Sequence, residues 1–266
     1  MANTGPAAFR LTKWYLDLVT DEGAAFVGYY ARLTWRGLRV RYAAALWAAP
    51  EAPTQARWSL RHGQPAQVHG NTVAWRGPAR GEHGTWEILE PGYQQRLYES
   101  DHGCVDWTCI TPRARVTLHT AHGCERGTGY VECLRLSILP WTLPLDTLHW
   151  GRFHAPGHTI TWIEWVGPSP VRLAWHNGVL DTGATMHERT LLLPASRARL
   201  ELARGRIIRD ASVLSTVLEA MPMLQPLLPA TLTDREQKFV GTGELLRDDG
   251  AAPIAGVALH ERVTRR

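Results

Sequence analysis

Apolar residues recur at every second position along most of this chain, a period that admits strands with one face inward and excludes long amphipathic helices over the same stretches. Leu38, Val40, Tyr42, Ala44 and Leu46 alternate with Arg39 and Arg41. The same alternation marks Trp14 to Leu18, Val116 to Leu118, Tyr130 to Ile138, Ile160 to Trp165, Val171 to Trp175, Ala198 to Leu202, Gln237 to Leu246 and Ile254 to Val263. Turn-forming groups such as Arg61-His62-Gly63, Val68-His69-Gly70-Asn71, Glu90-Pro91-Gly92 and His176-Asn177-Gly178 punctuate the runs. Many short strands with regular turns predict an all-β sandwich or barrel. One helix is expected near 210–221, where Asp210 can cap Val213, Leu214, Val217, Leu218 and Met221 before Pro222 ends the segment.

At 266 residues the chain suits two all-β units. A weak internal echo, Gly28-Tyr29-x-x-x-Leu33 against Gly129-Tyr130-x-x-x-Leu134, and turn-like sequence around His119–Gly123 and Arg126–Gly129 place the boundary so that the units are 1–122 and 123–266. The 29 Lys and Arg against 25 Asp and Glu are scattered and nowhere form a block along the sequence, so nucleic acid is not an expected partner. Only Lys13 and Lys238 are lysine. No apolar run is long enough to span a membrane and the start lacks the pattern of a secretory signal, so a soluble cytoplasmic protein is expected, with peripheral membrane contact left open and the oligomeric state not fixed. Cys104, Cys109, Cys124 and Cys133 lack Cys-x-x-Cys spacing and read as buried thiols, a Cys site or bridge being the alternative. His149, His154, His158 and His176 lack metal-ligand spacing, so no metal is expected. No Gly-x-Ser-x-Gly is present, and Gly241-Thr242-Gly243-Glu244 falls within a strand, not at the start of a helix.

Tryptophan is abundant, with 12 against 4 Phe and 7 Tyr, all between Trp14 and Trp175. Core filling accounts for such rings in a β protein, unless acids lie among them. Here they do. On a strand, Tyr130 and Glu132 share a face with Leu134, Leu136 and Ile138, and Trp162 and Glu164 share one with Ile160. A carboxylate in apolar surroundings is costly to ionise, so it gains a partner or holds its proton. Leu148-His149-Trp150-Gly151-Arg152-Phe153 lies between the two runs. Arg152 either neutralises Glu132 or Glu164 in an inert buried pair, or orients a carboxylate in a site where a protonated acid meets an alkene or enol. Asp106-Trp107 and Trp175-His176-Asn177 can line a pocket or form turns. His260 shares a face with Ile254 and Ala258 and reads as a satisfied core histidine.

Gly127-Thr128-Gly129-Tyr130-Val131-Glu132, then Trp150-Gly151-Arg152, then Trp162-Ile163-Glu164 resemble the order of motifs in the carotenoid 1,2-hydratase (hydroxyneurosporene synthase) and AttH-like family. The resemblance runs from about Lys13 to Val263 and is most specific in the central third. It implies two lipocalin-like antiparallel barrels, an enclosed hydrophobic ligand site and kinship with fungal Diels-Alderase-type cyclases. In that family's Gly-x-x-Tyr-His-Asp-His motif, Tyr130 matches the Tyr and Glu132 replaces the Asp, while Val131 and Cys133 replace both histidines; Trp162 and Glu164 stand at the later aromatic-x-Asp pair that holds the family's proton donor. The expected activity is thus acid-catalysed hydration, isomerisation or cyclisation of a polyene or isoprenoid-like molecule, with a non-catalytic carrier of a hydrophobic ligand as the alternative. Glu164 is the expected donor and Glu132 the second acid, with Tyr130, Trp150, Arg152, Trp162 and Trp175 contacting the ligand. Such chemistry needs an acid, shape and cation stabilisation, so no cofactor is expected.

Overall fold

The computed structural model describes residues 9–121, 123–212 and 234–265. Twenty strands occur among them. The first ten are β1 (Arg10–Val19), β2 (Ala25–Trp35), β3 (Leu38–Ala48), β4 (Gln55–Ser59), β5 (Gln64–His69), β6 (Thr72–Arg76), β7 (His83–Ile88), β8 (Tyr93–Ser100), β9 (Gly103–Thr120) and β10 (Gly123–Leu136). The second ten are β11 (Thr147–Ala155), β12 (His158–Val166), β13 (Val171–His176), β14 (Val179–Asp181), β15 (Thr185–His187), β16 (Thr190–Leu193), β17 (Ala198–Leu202), β18 (Arg206–Ser212), β19 (Asp234–Arg247) and β20 (Ile254–Arg265).

Each set of ten forms one curled antiparallel sheet, a half-barrel, as the alternation predicts. The first runs β4-β3-β2-β1-β10-β9-β7-β6-β5 with β8 also on β9; the second runs β14-β13-β12-β11-β20-β19-β17-β16-β15 with β18 also on β19. Adding ten to every strand number of the first order yields the second. The chain therefore repeats one topology, although the Gly-Tyr echo is not its trace: Gly28 lies in β2 and Gly129 in β10, which are not equivalent strands.

The two units divide between Leu143 and Pro144, not between 122 and 123. Residues on either side of position 122 belong to the β9–β10 hairpin, which pairs Gly123 with Thr120 and continues to Leu136. The turn-like Gly127-Thr128-Gly129 is mid-strand. A Cβ on Gly129 would collide with the Asp17 carbonyl and stand 2.9 Å from Trp86 Nε1. Glycine there lets the indole reach that carbonyl, to which it donates at 2.7 Å. Asp210 is likewise no helix cap. It lies in β18 opposite Gln237 and holds Arg235, and the rest of the expected helix lies outside the described residues.

Each sheet has a core face and a back face. The first core packs Leu16, Leu18, Phe26, Val73, Trp75, Trp86, Val116, Leu118 and Val131, and the second Phe153, Ile160, Trp162, Ala174, Leu191, Leu193, Leu200 and Leu245. Indoles therefore occupy the space that a lipocalin-like cavity would need. In the second unit Trp162 lies against Gly151 of the neighbouring strand, where an added Cβ would fall inside the ring's van der Waals envelope. Gly151→Ala is expected to destabilise the protein by about 1–3 kcal/mol, the usual cost of overpacking a filled core. Urea unfolding followed by Trp fluorescence measures it, and an unchanged midpoint would mean that the ring moves freely.

Candidate functional site

Antiparallel partners directly opposite each other share a face, so the register assigns every side chain of the second unit to its core or back face. One row of the core face reads Arg172, Glu164, His149, Arg262 and Gln237 across β13, β12, β11, β20 and β19. The next reads Ala174, Trp162, Gly151, His260 and Phe239. Glu164 thus lies between an arginine and an imidazole with Trp162 one row away.

Glu164 is buried, with 6% of its surface exposed. Its Oε1 accepts the Met186 N–H at 3.4 Å and sits 3.6 Å from Arg172 Nε. Oε2 is buried with no hydrogen-bond partner among the described residues. A buried carboxyl oxygen without a partner leaves a hydrogen-bonding position open to a bound molecule. Across the strand pair, burial and then Arg262 depress the basicity of His149. His260 stacks on Phe239 at 4.9 Å, and burial, followed by His149, lowers its pKa from the ordinary 6.5 to about 4. Both shifts keep the imidazoles neutral near pH 7.

A second acid site lies on the back face of the first sheet. Glu132 is half-buried, and its Oε2 accepts the Tyr130 hydroxyl at 2.8 Å and Trp107 Nε1 at 2.5 Å. Tyr15 packs edge-on against both Tyr29 and Tyr130, and Tyr93 tilts over Trp107. Burial pushes the Tyr130 phenol well above its ordinary value, with the neighbouring Cys109 and Glu132 adding to it, so the phenol keeps its proton and donates it. Two donors converge on one oxygen of Glu132 and fix the direction of its carboxyl group.

The residues singled out from sequence therefore fall into three groups. Tyr130 and Glu132 are together in the first unit. Trp162 and Glu164 are together on the core face of the second. Trp150, Arg152 and Trp175 lie on the back face of the second sheet, where Trp150 opposes Ile163 while Arg152 and Trp175 flank Thr161 on either side. Arg152 therefore does not pair with Glu164: strand alternation turns the two to opposite faces, and the cation beside Glu164 is Arg172. The fully buried Arg152 donates from Nη1 to His154 Nδ1 at 3.3 Å. Trp150 opposes Glu261, whose neighbour Lys238 forms ion pairs with both Glu261 and Glu236, and Arg209 reaches Glu236 at 3.4 Å. Asp106 and Trp107 lie within β9, not in a turn. His149, weighed from sequence only as a metal ligand, and His260, read there as a satisfied core histidine, are the candidates that the register adds to this face. The signal was available in the alternation His149-Gly151-Phe153, which shares the face of Trp162, but its alignment to Glu164 depends on register.

No protein-family model matches the sequence, and no curated protein matches it either. Solved structures do match in fold. A protein described as AttH from Nitrosomonas europaea superposes with a TM-score of 0.62 at 12% identity, covering 97% of this chain and 94% of that one. CghA with Sch210972 gives 0.56 at 11% identity, covering 97% and 89%, and kievitone hydratase from Nectria haematococca gives 0.53 at 12%, covering 97% and 89%.

The neutral imidazoles couple stability to pH. Unfolded, His260 titrates near its ordinary 6.5; folded, near 4. Between those values the unfolded chain binds the extra proton, so the stability stored in the neutral ring is fully present above about pH 6.5 and is lost as pH falls toward 4. A loss of about 2–3 kcal/mol across that window is expected from His260. Urea titrations of His260→Gln should show a shallower fall than wild type, and parallel curves would mean that the ring is free to charge in the folded state. The chain thus has the two-unit, lipocalin-like all-β fold of the AttH-like and hydratase structures, at a distance where the fold is what the likeness establishes.

Proposed function

We propose that this protein carries out an acid–base transformation of a hydrophobic, polyene or isoprenoid-like small molecule, with Glu164 as proton donor. The carrying observation is the buried Glu164 Oε2, which has no partner among the described residues while its other oxygen is held by Met186 N–H and Arg172. A carboxyl fixed through one oxygen presents the other in a defined direction, as general acid catalysis needs. Support also comes from the fold, which is shared with kievitone hydratase and with CghA bound to Sch210972.

Protonation of a carbon–carbon double bond moves the Glu164 proton to one carbon and leaves a carboxylate beside a carbocation. The face of Trp162 and the new carboxylate stabilise that cation. Hydration follows if water adds to the cation and its extra proton returns to Glu164, directly or through His149; isomerisation follows if the cation loses a neighbouring proton to the Glu164 carboxylate; cyclisation follows if a second double bond attacks the cation and the new cation so formed loses a proton to Glu164. All three return the site to its starting charge. Glu132, anchored by Tyr130 and Trp107 in the first unit, is the second candidate acid and suits the role of an electrostatic anchor there. Trp150, Arg152 and Trp175 belong to the back face of the second sheet and serve the ligand only from that side.

Native mass spectrometry of the purified full chain, followed by organic extraction, identifies any apolar molecule it carries, and Trp fluorescence across polyenes, terpenoids and fatty acids finds a ligand if it is empty. With that ligand, Glu164→Gln is expected to lower turnover about 100-fold or more and to leave affinity within a few-fold, the signature of a lost general acid. His149→Asn should lower turnover by a smaller factor. Binding without any turnover in wild type would identify a carrier instead. A chain that is empty and silent to the whole panel overturns the hydrophobic-ligand reading altogether.

A further inference from the structure

Arginines that are dispersed in sequence converge at one end of the first sheet. On the side that carries the core residues, β1, β2 and β3 align Arg10 with Thr34 and Arg39 in one row. The adjacent row, across β10, β1, β2 and β3, aligns Arg135, Thr12, Arg32 and Arg41. Beyond these rows the face becomes apolar with Trp14 and Leu16. The five guanidinium groups are exposed. No ion pair joins any of them to a carboxylate among the described residues; the acid opposite Arg135, Asp106, is already held by Arg96 at 2.8 Å. Elsewhere in the protein exposed arginines are matched, as Arg115 is by Glu87 and Arg199 by Glu201.

This arrangement is costly as it stands. Arg32 and Arg41 are directly opposed, and like charges across a strand pair destabilise it. Over this face of the three strands lies a half-open depression of about 420 Å³ lined by Arg10, Thr12, Arg32, Thr34 and Arg39. Three guanidinium groups offer planar forks of N–H donors, and two threonine hydroxyls lie between them. Arginine is the side chain that matches a tetrahedral oxyanion with paired hydrogen bonds. A monovalent carboxylate would leave most of these donors unused.

We infer that this end of the first sheet is a binding site for a phosphate-bearing anion carrying at least two negative charges, such as a diphosphate or a phosphorylated headgroup. The anion sits over Thr12 and Thr34 and is gripped by Arg10, Arg32 and Arg39, with Arg41 and Arg135 adding to the field. The site is separate from Glu164, which belongs to the second unit, so it stands whether or not Glu164 is a catalyst.

Titration calorimetry with inorganic pyrophosphate, using the full chain, tests it. Wild type is expected to bind, and Arg32→Gln/Arg39→Gln to bind at least about tenfold more weakly, while Arg199→Gln binds as wild type does. In anion-free buffer the double variant should melt no lower than wild type, because it relieves the Arg32–Arg41 repulsion, and pyrophosphate should raise the melting temperature of wild type alone. Sedimentation with phosphatidylcholine vesicles containing phosphatidylinositol 4-phosphate, against vesicles matched in charge with phosphatidylserine, separates the sources: co-sedimentation on the phosphorylated headgroup that the double variant loses supports a lipid headgroup, and pyrophosphate binding without sedimentation supports a free phosphorylated molecule. The inference is overturned if wild type binds neither pyrophosphate nor vesicles, if the double variant binds equally well, or if an oligonucleotide binds where pyrophosphate does not compete.

Discussion

The hydrogen bond from Trp86 Nε1 to the Asp17 carbonyl exists because Gly129 has no Cβ, and the same exchange of side-chain volume for ring volume organises both sheets. A curled sheet encloses a narrow interior, and bulky rings enter it only where an opposing strand gives way. Gly129 gives way to Trp86, and Gly151 to Trp162. Truncating a buried indole costs about 3–5 kcal/mol, so these rings account for much of what holds each unit closed. The positions are not equivalent in the repeated topology: Trp86 is in β7, the counterpart of β17, whereas Trp162 is in β12. What repeats is the path of the chain, and each unit solves the filling of its interior with different residues.

Filling the interior with indoles moves the chemistry elsewhere. Polar side chains appear toward the ends of the core faces, where Glu164, His149 and Arg172 succeed Trp162 in one unit and Arg32 and Arg39 succeed Trp14 in the other. They appear as well on the back faces, where Glu132 meets Tyr130 and Trp107. A lipocalin-like scaffold is usually pictured with its ligand in the central cavity; in this chain Trp75, Trp86 and Phe26 occupy the first core and Trp162 and Phe153 the second.

The strands were legible in the sequence because alternation is a local property. Leu38 to Leu46, Ile160 to Trp165 and Ile254 to Val263 all fall within observed strands, and the side-by-side placement of Trp162 with Glu164 follows from spacing alone. Pairing is not local. Nothing in residues 147–155 states that His149 will lie opposite Glu164 while Arg152 lies opposite Thr161, and a slip of one residue would exchange the two faces. The same limit hid the arginine cluster: Arg10 and Arg135 are far along the chain from Arg32, Arg39 and Arg41 and become their neighbours only through the pairings of β1 with β2 and β10. Glycine misled in the opposite sense. Gly127-Thr128-Gly129 has the composition of a turn, yet its glycines accommodate a close approach within a strand, and the unit boundary drawn there moves to Leu143 and Pro144.

Burial alone does not separate working charges from structural ones; satisfaction does. Lys238 is fully buried, but Glu236 and Glu261 hold it and Arg209 completes the set, giving two cations for two carboxylates. Removing any member would strand a charge in a dry place, and adding a substrate would break bonds already made. Glu132 is intermediate, with its two donors on one oxygen. Glu164 is the opposite case: Arg172, the cation paired with it among the described residues, is more than half exposed and 3.6 Å away, and one carboxyl oxygen is buried without a donor among them. A fold that closes the Lys238 cluster so completely has the means to close Glu164 as well. That it leaves this oxygen without a donor, opposite the His149 imidazole, is the structural reason for proposing the proton chemistry at Glu164 and not at the Lys238 cluster.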